Sequence, residues 1–271
     1  MADLYAVIGN PIAHSKSPLI HARFAAQTGQ DMRYGKLLAP LDGFAAAVDQ
    51  FRAEGGRGLN VTVPFKLEAA RYATRLTPAA QQAGAVNTLI FSAFEVLGDN
   101  TDGVGLVRDL THNLQQPLQG RRILLLGAGG AARGVLQPLL DQQPTVLTLA
   151  NRTPEKAQAL AMLFAGKIQA SGFAALAGQQ FDIVINASAS SLQDEALPLP
   201  AGIYAPGALA YDMMYAAQPT AFMRAAQAAG ATHVSDGLGM LVEQAAQSFY
   251  LWRGVRPETA AVLAELRGQL G

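Results

Sequence analysis

The chain has 271 residues, half of them hydrophobic and 15% charged, with 20 Lys+Arg balanced by 20 Asp+Glu. That length allows two domains with separate cores, and the absence of net charge gives no field favouring nucleic acid or an anionic membrane, so a small-molecule partner is expected. Zero cysteines exclude disulfides, thiolate nucleophiles and thiolate metal sites, and four scattered histidines without a His-x-x-x-His pair make metal-free chemistry the default.

The N-terminal segment carries Asp3 where a signal peptide carries positive charge, its apolar run stops at Gly9 and Pro11, and no stretch approaches the ~20 apolar residues that span a bilayer. A soluble, cytoplasmic protein is expected. Tyr5 to Ile8 reads as a strand, and Ser17-Pro18 as a helix N-cap with the favoured first-turn proline, the helix running to Gly29. Asp42 is expected to cap a second helix. Gly55 and Gly56 then turn the chain into a strand over Gly58 to Val63. Pro64 ends that strand and leaves Lys66 three residues beyond it, at the rim of a sheet, where catalytic groups gather. A short helix follows Lys66, Thr77-Pro78 starts another, and Val86 to Phe91 with Glu95 to Leu97 read as a hairpin-like pair, so the first sheet is expected to be mixed. Asn100, Thr101 and Asp102 close that stretch ahead of another helix. An ammonium at Lys66 and a carboxylate at Asp102 converging on one cleft would suit proton transfer. Only five of the 20 basic residues are lysines, which slightly weakens the alternative that Lys66 is a generic solvated charge.

From Arg121 the pattern becomes regular: Ile123 to Leu126 as a strand, a glycine-rich turn, and a helix to about Leu140 in which Pro138 predicts a kink or early end. Thr145 to Ala150 is the next strand, Thr153-Pro154 caps the following helix, and Phe181 to Ile185 and Leu209 to Tyr211 are further strands of a doubly wound α/β domain. Two last helices, Leu238 to Trp252 and Pro257 to Leu270, have no strand between them and are expected to pack back on the first domain. The expected division is 1–102 plus 238–271 as a substrate-binding domain and 103–237 as a cofactor domain.

Ile123 to Ala132 joins an apolar strand, the turn Gly127-Ala128-Gly129-Gly130-Ala131-Ala132 and the opening of a helix. In that setting G-x-G-x-x-A reads as a dinucleotide site: Gly127 permits the tight turn, Gly129 lets backbone approach a pyrophosphate, and Ala132 permits close packing. An NAD site places a carboxylate at the end of the second strand, but Asn151, Arg152 and Thr153 stand there, with Lys156 one turn on. Arg152 and Lys156 are suited to a 2′-phosphate, which points to NADP; the alternative is that both are solvated helix-start residues.

Ser15-Lys-Ser17, Asn60 to Lys66, Ala85-Val-Asn87-Thr, Gly98 to Gly103, Gly127 to Ala131, Asn151-Arg-Thr153, Tyr211 to Tyr215, and Asp236-Gly237-Leu with Gln244 follow in this order along nearly the whole chain. In these motifs the chain resembles the shikimate dehydrogenase family. The resemblance implies an α/β fold of two domains, an N-terminal mixed-sheet substrate domain and a doubly wound Rossmann-type NADP domain with a cleft between them. It also implies reduction of 3-dehydroshikimate to shikimate with NADPH, in chorismate and aromatic amino-acid biosynthesis. Carried over by position, Lys66 and Asp102 resemble the catalytic pair, and Ser15 and Ser17 the hydroxyls that hold the substrate carboxylate. Thr62, Asn87, Asp102 and Gln244 resemble the contacts to the ring hydroxyls, Tyr215 a residue close to the substrate, and Met213 and Gly237 positions near the nicotinamide. From the residues alone, Ser17 is equally well read as a plain helix cap. Asn186-Ala-Ser-Ala-Ser-Ser191 departs from the family's Asn-Ala-Thr-Ser-x-Gly run, which puts the cofactor contacts there in question; Pro78 stands where some relatives carry an acid, and it is assigned no role.

An unperturbed lysine, of pKa ~10.4, is neutral in only about one molecule in 2,500 at pH 7, which suits a proton donor to an alkoxide. In the oxidative direction the base is either a desolvated lysine or Asp102 and the substrate hydroxyl acting together. The competing readings are a quinate-using relative, an NADP-binding metabolite sensor and, third, a folate-type dehydrogenase. A monomer or homodimer without nucleic-acid or membrane partners is expected.

Overall fold

Tyr5 to Gly9 are buried without a break, the pattern of a strand covered on both faces, and Asp3–Gly9 (β1) lies second in a six-stranded sheet. The computed structural model describes residues 2–270, and these fall into two units, 2–105 with 242–264 and 106–241 with 265–270. In the first unit β1 is followed by α1 (Ser17–Thr28), β2 (Met32–Leu38), α2 (Phe44–Ala53), β3 (Gly56–Val61), α3 (Lys66–Tyr72), β4 (Arg75–Leu76), α4 (Pro78–Ala83), β5 (Thr88–Phe91) and β6 (Val96–Asp99). The sheet order is β2-β1-β3-β5-β6-β4. β2 and β3 flank β1 in parallel, whereas β5 runs antiparallel to both β3 and β6, so this sheet is mixed as expected. Its core gathers Ile8, Phe44, Leu59, Phe65, Val86 and Leu89.

Several boundaries differ from the sequence reading. β2 carries no clear sequence signal: as an edge strand it only alternates half-buried with exposed positions and contains a glycine. Ser17 is the first helical residue rather than the cap; Lys16 holds that position, and the Ser15 hydroxyl accepts the Ser17 N–H at 3.3 Å. Asp42 caps nothing, because α2 starts one residue later from Gly43. β3 stops at Val61, since Phe65 N–H bonds back to the Thr62 carbonyl at 3.0 Å, and Lys66 itself opens α3. Thr77 does cap α4, its hydroxyl accepting the Ala80 N–H.

The second unit contains β7 (Arg122–Leu126), α6 (Gly130–Leu140), β8 (Val146–Asn151), α7 (Pro154–Met162), β9 (Gln169–Gly172), β10 (Phe181–Asn186), β11 (Tyr204–Asp212), α8 (Ala221–Ala228) and β12 (His233–Ser235). All pairings are parallel, in the order β12-β11-β10-β7-β8-β9. In order of appearance the strands therefore lie 3-2-1-4-5-6, the doubly wound arrangement with its switch point between β7 and β10. Alternate residues of β7 feed two cores: Ile123 and Leu125 pack on one face, Leu124 and Leu126 on the other. α6 runs on past Pro138 to Leu140 instead of ending early; the proline falls in the last turn, where only the bond to Gly134 is forfeited. Thr153 occupies the cap position of α7 without a side-chain bond.

α5 (Asp102–Arg108) continues the chain from the first unit and leads into a π-helical turn, Asp109–Asn113. There the buried Asp109 carboxylate accepts the Tyr211 hydroxyl at 2.6 Å, and burial together with that charge pushes the Tyr211 hydroxyl well up. The two closing helices are α9 (Leu238–Arg253) and α10 (Ala260–Leu270). Among the described residues no helix is long and apolar enough to cross a membrane.

Fully buried His21 of α1 stacks on Tyr34 with ring centroids 4.2 Å apart, and its Nε2 lies 3.1 Å from Asn60 Oδ1. Burial holds its pKa down at about 3, below the ordinary 6.5. The unfolded chain therefore binds a proton that the folded one refuses, so this contribution is intact above pH ~6.5 and is lost at ~1.4 kcal/mol per unit as pH falls from there toward ~3. Replacing His21 with Phe is expected to remove that slope from urea-unfolding stabilities measured between about pH 7 and 5.5; an unchanged slope would show that His21 does not titrate on unfolding.

Candidate active site

The antiparallel register Asn60↔Thr88↔Asp99 brings the end of β3, the start of β5 and the end of β6 to one edge of the first sheet, and parallel β1 ends there too. Ser15, Ser17, Thr62, Lys66, Asn87 and Asp102 all leave the sheet at this edge. The turn that carries Asp102 is locked locally: Asp99 accepts the Asn100 N–H at 2.8 Å and also the Thr77 hydroxyl, and Asn100 Oδ1 accepts the Asp102 N–H at 3.1 Å. Lys66 Nζ, at the start of α3, donates to Asp102 Oδ2 at 2.5 Å, with the two side chains 33% and 16% exposed. The pair is thus shielded but reachable.

Asn87 holds the other carboxylate oxygen. Its Oδ1 accepts the Thr101 N–H at 2.9 Å, which fixes the amide's orientation and sends Nδ2 to Asp102 Oδ1 at 2.8 Å and Thr101 Oγ1 at 2.9 Å. Gln244, on α9, receives Asn87 Nδ2 and Thr101 Oγ1 at 3.4 Å each. Behind these lies a buried polar floor absent from the sequence reading. Asn60 Oδ1 accepts the Tyr34 hydroxyl at 2.6 Å, Asn60 Nδ2 donates to Ser248 Oγ at 3.0 Å, and Thr88 and Ser248 share a hydrogen at 2.8 Å. Polar residues inside strands are the only available signal for Asn60 and Thr88; nothing marks Ser248 or Tyr34.

At the N-terminus of α1 the Ser15 hydroxyl donates to the Ser17 hydroxyl at 3.2 Å and accepts the Ser17 N–H, so the two hydroxyls stand together at the start of the helix, where its dipole favours an anion. Thr62 N–H bonds the Ile8 carbonyl at 3.0 Å, which ties β3's exit to that of β1.

In the second unit Gly127 ends β7 with φ +105°, and a methyl group on it would lie 3.1 Å from Ser188 N across the switch point. Only glycine fits there. Methyl groups on Gly129 or Gly130 would meet nothing within 4 Å, and α6 begins without a side-chain cap, so its first amides adjoin open space. With Ala128 and Ala131 beside them, these residues fit a dinucleotide pyrophosphate. A cavity of about 220 Å³ adjoins, lined by Gly127, Asn151, Arg152, Phe173 and Ser188 among others. β8 ends at Asn151, whose Nδ2 donates to the Thr153 carbonyl at 2.9 Å, and Arg152 and Lys156 are exposed cations, Arg152 standing 3.9 Å from Glu195. That donor set suits a ribose phosphate better than ribose hydroxyls.

The serine run has a structural account. Asn186 Oδ1 accepts both Ser188 N–H and its hydroxyl, and Ser191 Oγ donates to the buried Asp212 carboxylate at 2.5 Å. Met213 follows β11 directly, its N–H bonded to the Asn186 carbonyl at 2.9 Å. Gly237 is pressed against it: a methyl group there would lie 2.3 Å from the Met213 carbonyl oxygen. The half-buried Tyr215 hydroxyl is pushed up by burial and by the charge of Asp236. Among the described residues no group of three or more His, Cys, Asp or Glu could hold a metal ion.

The second unit thus carries a doubly wound sheet with a glycine turn suited to a dinucleotide, and the first unit a lysine–carboxylate pair at the rim of a mixed sheet. Family models match three stretches: the shikimate dehydrogenase substrate binding domain over residues 7–89, shikimate/quinate 5-dehydrogenase over 109–193, and the shikimate 5′-dehydrogenase C-terminal domain over 237–267. A shikimate dehydrogenase (NADP(+)) of Herminiimonas arsenicoxydans is 65% identical, over 100% of this chain and 99% of its own. Among solved structures, an Ael1 enzyme from Pseudomonas putida is 49% identical with TM-score 0.94, covering 98% of both chains. Shikimate 5-dehydrogenase from Thermus thermophilus, in complex with NADP(H) and shikimate, is 32% identical with TM-score 0.84, over 99% of this chain and 100% of that one. The chain belongs to the shikimate dehydrogenase family.

Replacing Asn87 with Ala would leave the buried Thr101 N–H without its acceptor and Asp102 Oδ1 without a donor. A loss of about 2–3 kcal/mol in urea-unfolding free energy is expected; a loss below about 0.5 kcal/mol would show that the amide is not holding these groups.

Proposed function

We propose that the protein is an NADP-dependent shikimate dehydrogenase that reversibly reduces 3-dehydroshikimate to shikimate in aromatic amino-acid biosynthesis. The observation that carries this reading is the Lys66–Asp102 pair, with Asn87 on the second carboxylate oxygen. In this reading the first unit takes the substrate and the second takes NADP. The Ser15 and Ser17 hydroxyls, with the α1 dipole, hold the substrate carboxylate; Thr62, Asn87, Asp102 and Gln244 meet the ring hydroxyls, and Tyr215 lies close to the substrate. Gly127 to Ala131 receive the pyrophosphate, Asn151 to Thr153 with Lys156 the adenosine ribose and its 2′-phosphate, and Met213 and Gly237 the nicotinamide.

Bound NADPH supplies the hydride. Lys66 donates its proton to the carbonyl oxygen as negative charge develops there, and the neutral amine left behind is reprotonated from solvent. Asp102 keeps the ammonium aimed at that oxygen and orients the neighbouring hydroxyl. In oxidation the same groups would work in reverse: Lys66 first releases a proton to solvent, and the neutral amine then takes the proton of the substrate hydroxyl.

The direct test is reduction of NADP+ with shikimate, set beside quinate and NAD+. Turnover with shikimate and NADP+ is expected to dominate; a preference for quinate or for NAD+ would favour the quinate-using reading, and cofactor binding without turnover would favour a sensor. Lys66→Ala is expected to lower kcat by about 10³-fold with little change in shikimate affinity, and Asp102→Asn to impair both turnover and binding. Near-normal kcat in the first, or unchanged kinetics in the second, would remove that residue from the chemistry. Replacing Arg152 and Lys156 together with Ala is expected to raise the NADP+ dissociation constant by about 10²-fold and leave that of NAD+ nearly unchanged. Equal effects on the two cofactors would contradict a 2′-phosphate role.

A further inference from the structure

In a sheet of this order each half serves one mononucleotide, so the β7–β9 half, which bears Arg152, takes the adenosine end, and the β10–β12 half takes the nicotinamide end. On that second half the chain leaves β11 at Asp212 and β12 at Ser235, and the two exits meet where Gly237 packs on the Met213 carbonyl. The Gly237 N–H donates to the Met214 carbonyl at 3.0 Å, which closes the junction. Asp236 anchors this junction. It is 5% exposed, and its Oδ1 accepts the Leu238 N–H at 3.2 Å, which sets the start of α9.

A buried carboxylate at such a place needs a cation, and the one it has comes from the last helix. Arg267 of α10 donates Nη1 to Asp236 Oδ2 at 2.7 Å and Nη2 to Asp236 Oδ1 at 2.5 Å, a two-pronged clamp. Tyr215, proposed above to lie close to the substrate, also faces the Asp236 charge. We infer that Arg267 is a positioning residue for the nicotinamide half of the site: by clamping Asp236 it fixes the Gly237–Met213 junction and neutralises the carboxylate behind it. Arg267 touches neither cofactor nor substrate in this account, and it stands in a helix that the sequence reading places outside the cofactor domain.

The inference rests on the NADP reading above and is tested by binding, not turnover. Arg267→Met keeps most of the side-chain stem and removes the charge; Arg267→Lys keeps the charge but loses the fork. Calorimetric titration with NADP+ and with 2′-phospho-ADP-ribose, which lacks the nicotinamide, separates the two halves of the site. Arg267→Met is expected to raise the NADP+ dissociation constant about tenfold and to leave that of 2′-phospho-ADP-ribose within about twofold, with Arg267→Lys in between. A general loosening of the unit would weaken both ligands alike, and that result, or no change for either, overturns the inference. If Arg267→Met does not fold, Arg267→Lys carries the test: a selective loss of NADP+ affinity supports the clamp, and its absence overturns it. Wild-type protein that binds neither ligand would instead defeat the NADP reading itself.

Discussion

The Asp102 carboxylate, one oxygen held by the Asn87 amide and the other by the Lys66 ammonium, is the contact on which the rest of the site depends. A half-buried ion pair is costly to desolvate unless its remaining valences are met, and here each carboxylate oxygen has a donor of fixed direction. The direction comes from backbone: the Thr101 N–H decides which way the Asn87 amide faces, and the β3–β5–β6 register decides where Asn87 and Asp102 stand. A slip of one residue in that register would turn Asn60 and Thr88 out of the sheet interior and disperse the pair. The floor of Asn60, Thr88 and Ser248 makes the same point, since buried polar groups that satisfy one another leave a single arrangement.

The second unit uses the opposite strategy. Its proposed cofactor surface is largely backbone: a glycine whose side chain would strike Ser188, a helix start without a side-chain cap, and a glycine packed on the Met213 carbonyl. Side chains serve to hold those backbones in place, as Asn186, Ser191 and Asp212 do beneath the β10 exit and Arg267 does through Asp236. Arg152 and Lys156 offer positive charge outward at the end of β8. In the proposed reading such a surface discriminates one ribose substituent and otherwise recognises shape.

What the sequence discloses follows from which physical signals are local. β7, its glycine turn and α6 are legible because an apolar run, a required positive φ and a helix start fall within about ten consecutive residues. Lys66 and Asp102 are legible as rim residues because each follows the end of a strand. The edge strands β2, β9 and β12 are not, being short or half-exposed, without a continuous apolar run. Ser17 reads as a cap because the residue type fits, but Lys16 takes that position and Ser15 supplies the acceptor. Ser248 and Arg267 leave no trace at all, because their partners stand far away in sequence and a serine or arginine on a helix reads by default as solvated.

The central claim is that the Lys66 amine itself moves the proton, and chemical rescue addresses it most directly. Lys66→Ala protein would be assayed for NADP+ reduction by shikimate in the presence of small primary amines of graded basicity. The account predicts that the residual rate rises with amine concentration and varies with amine basicity, as a proton carrier entering the vacated space requires. A variant that turns over at the wild-type rate without added amine, or whose deficit is indifferent to every amine, would contradict it.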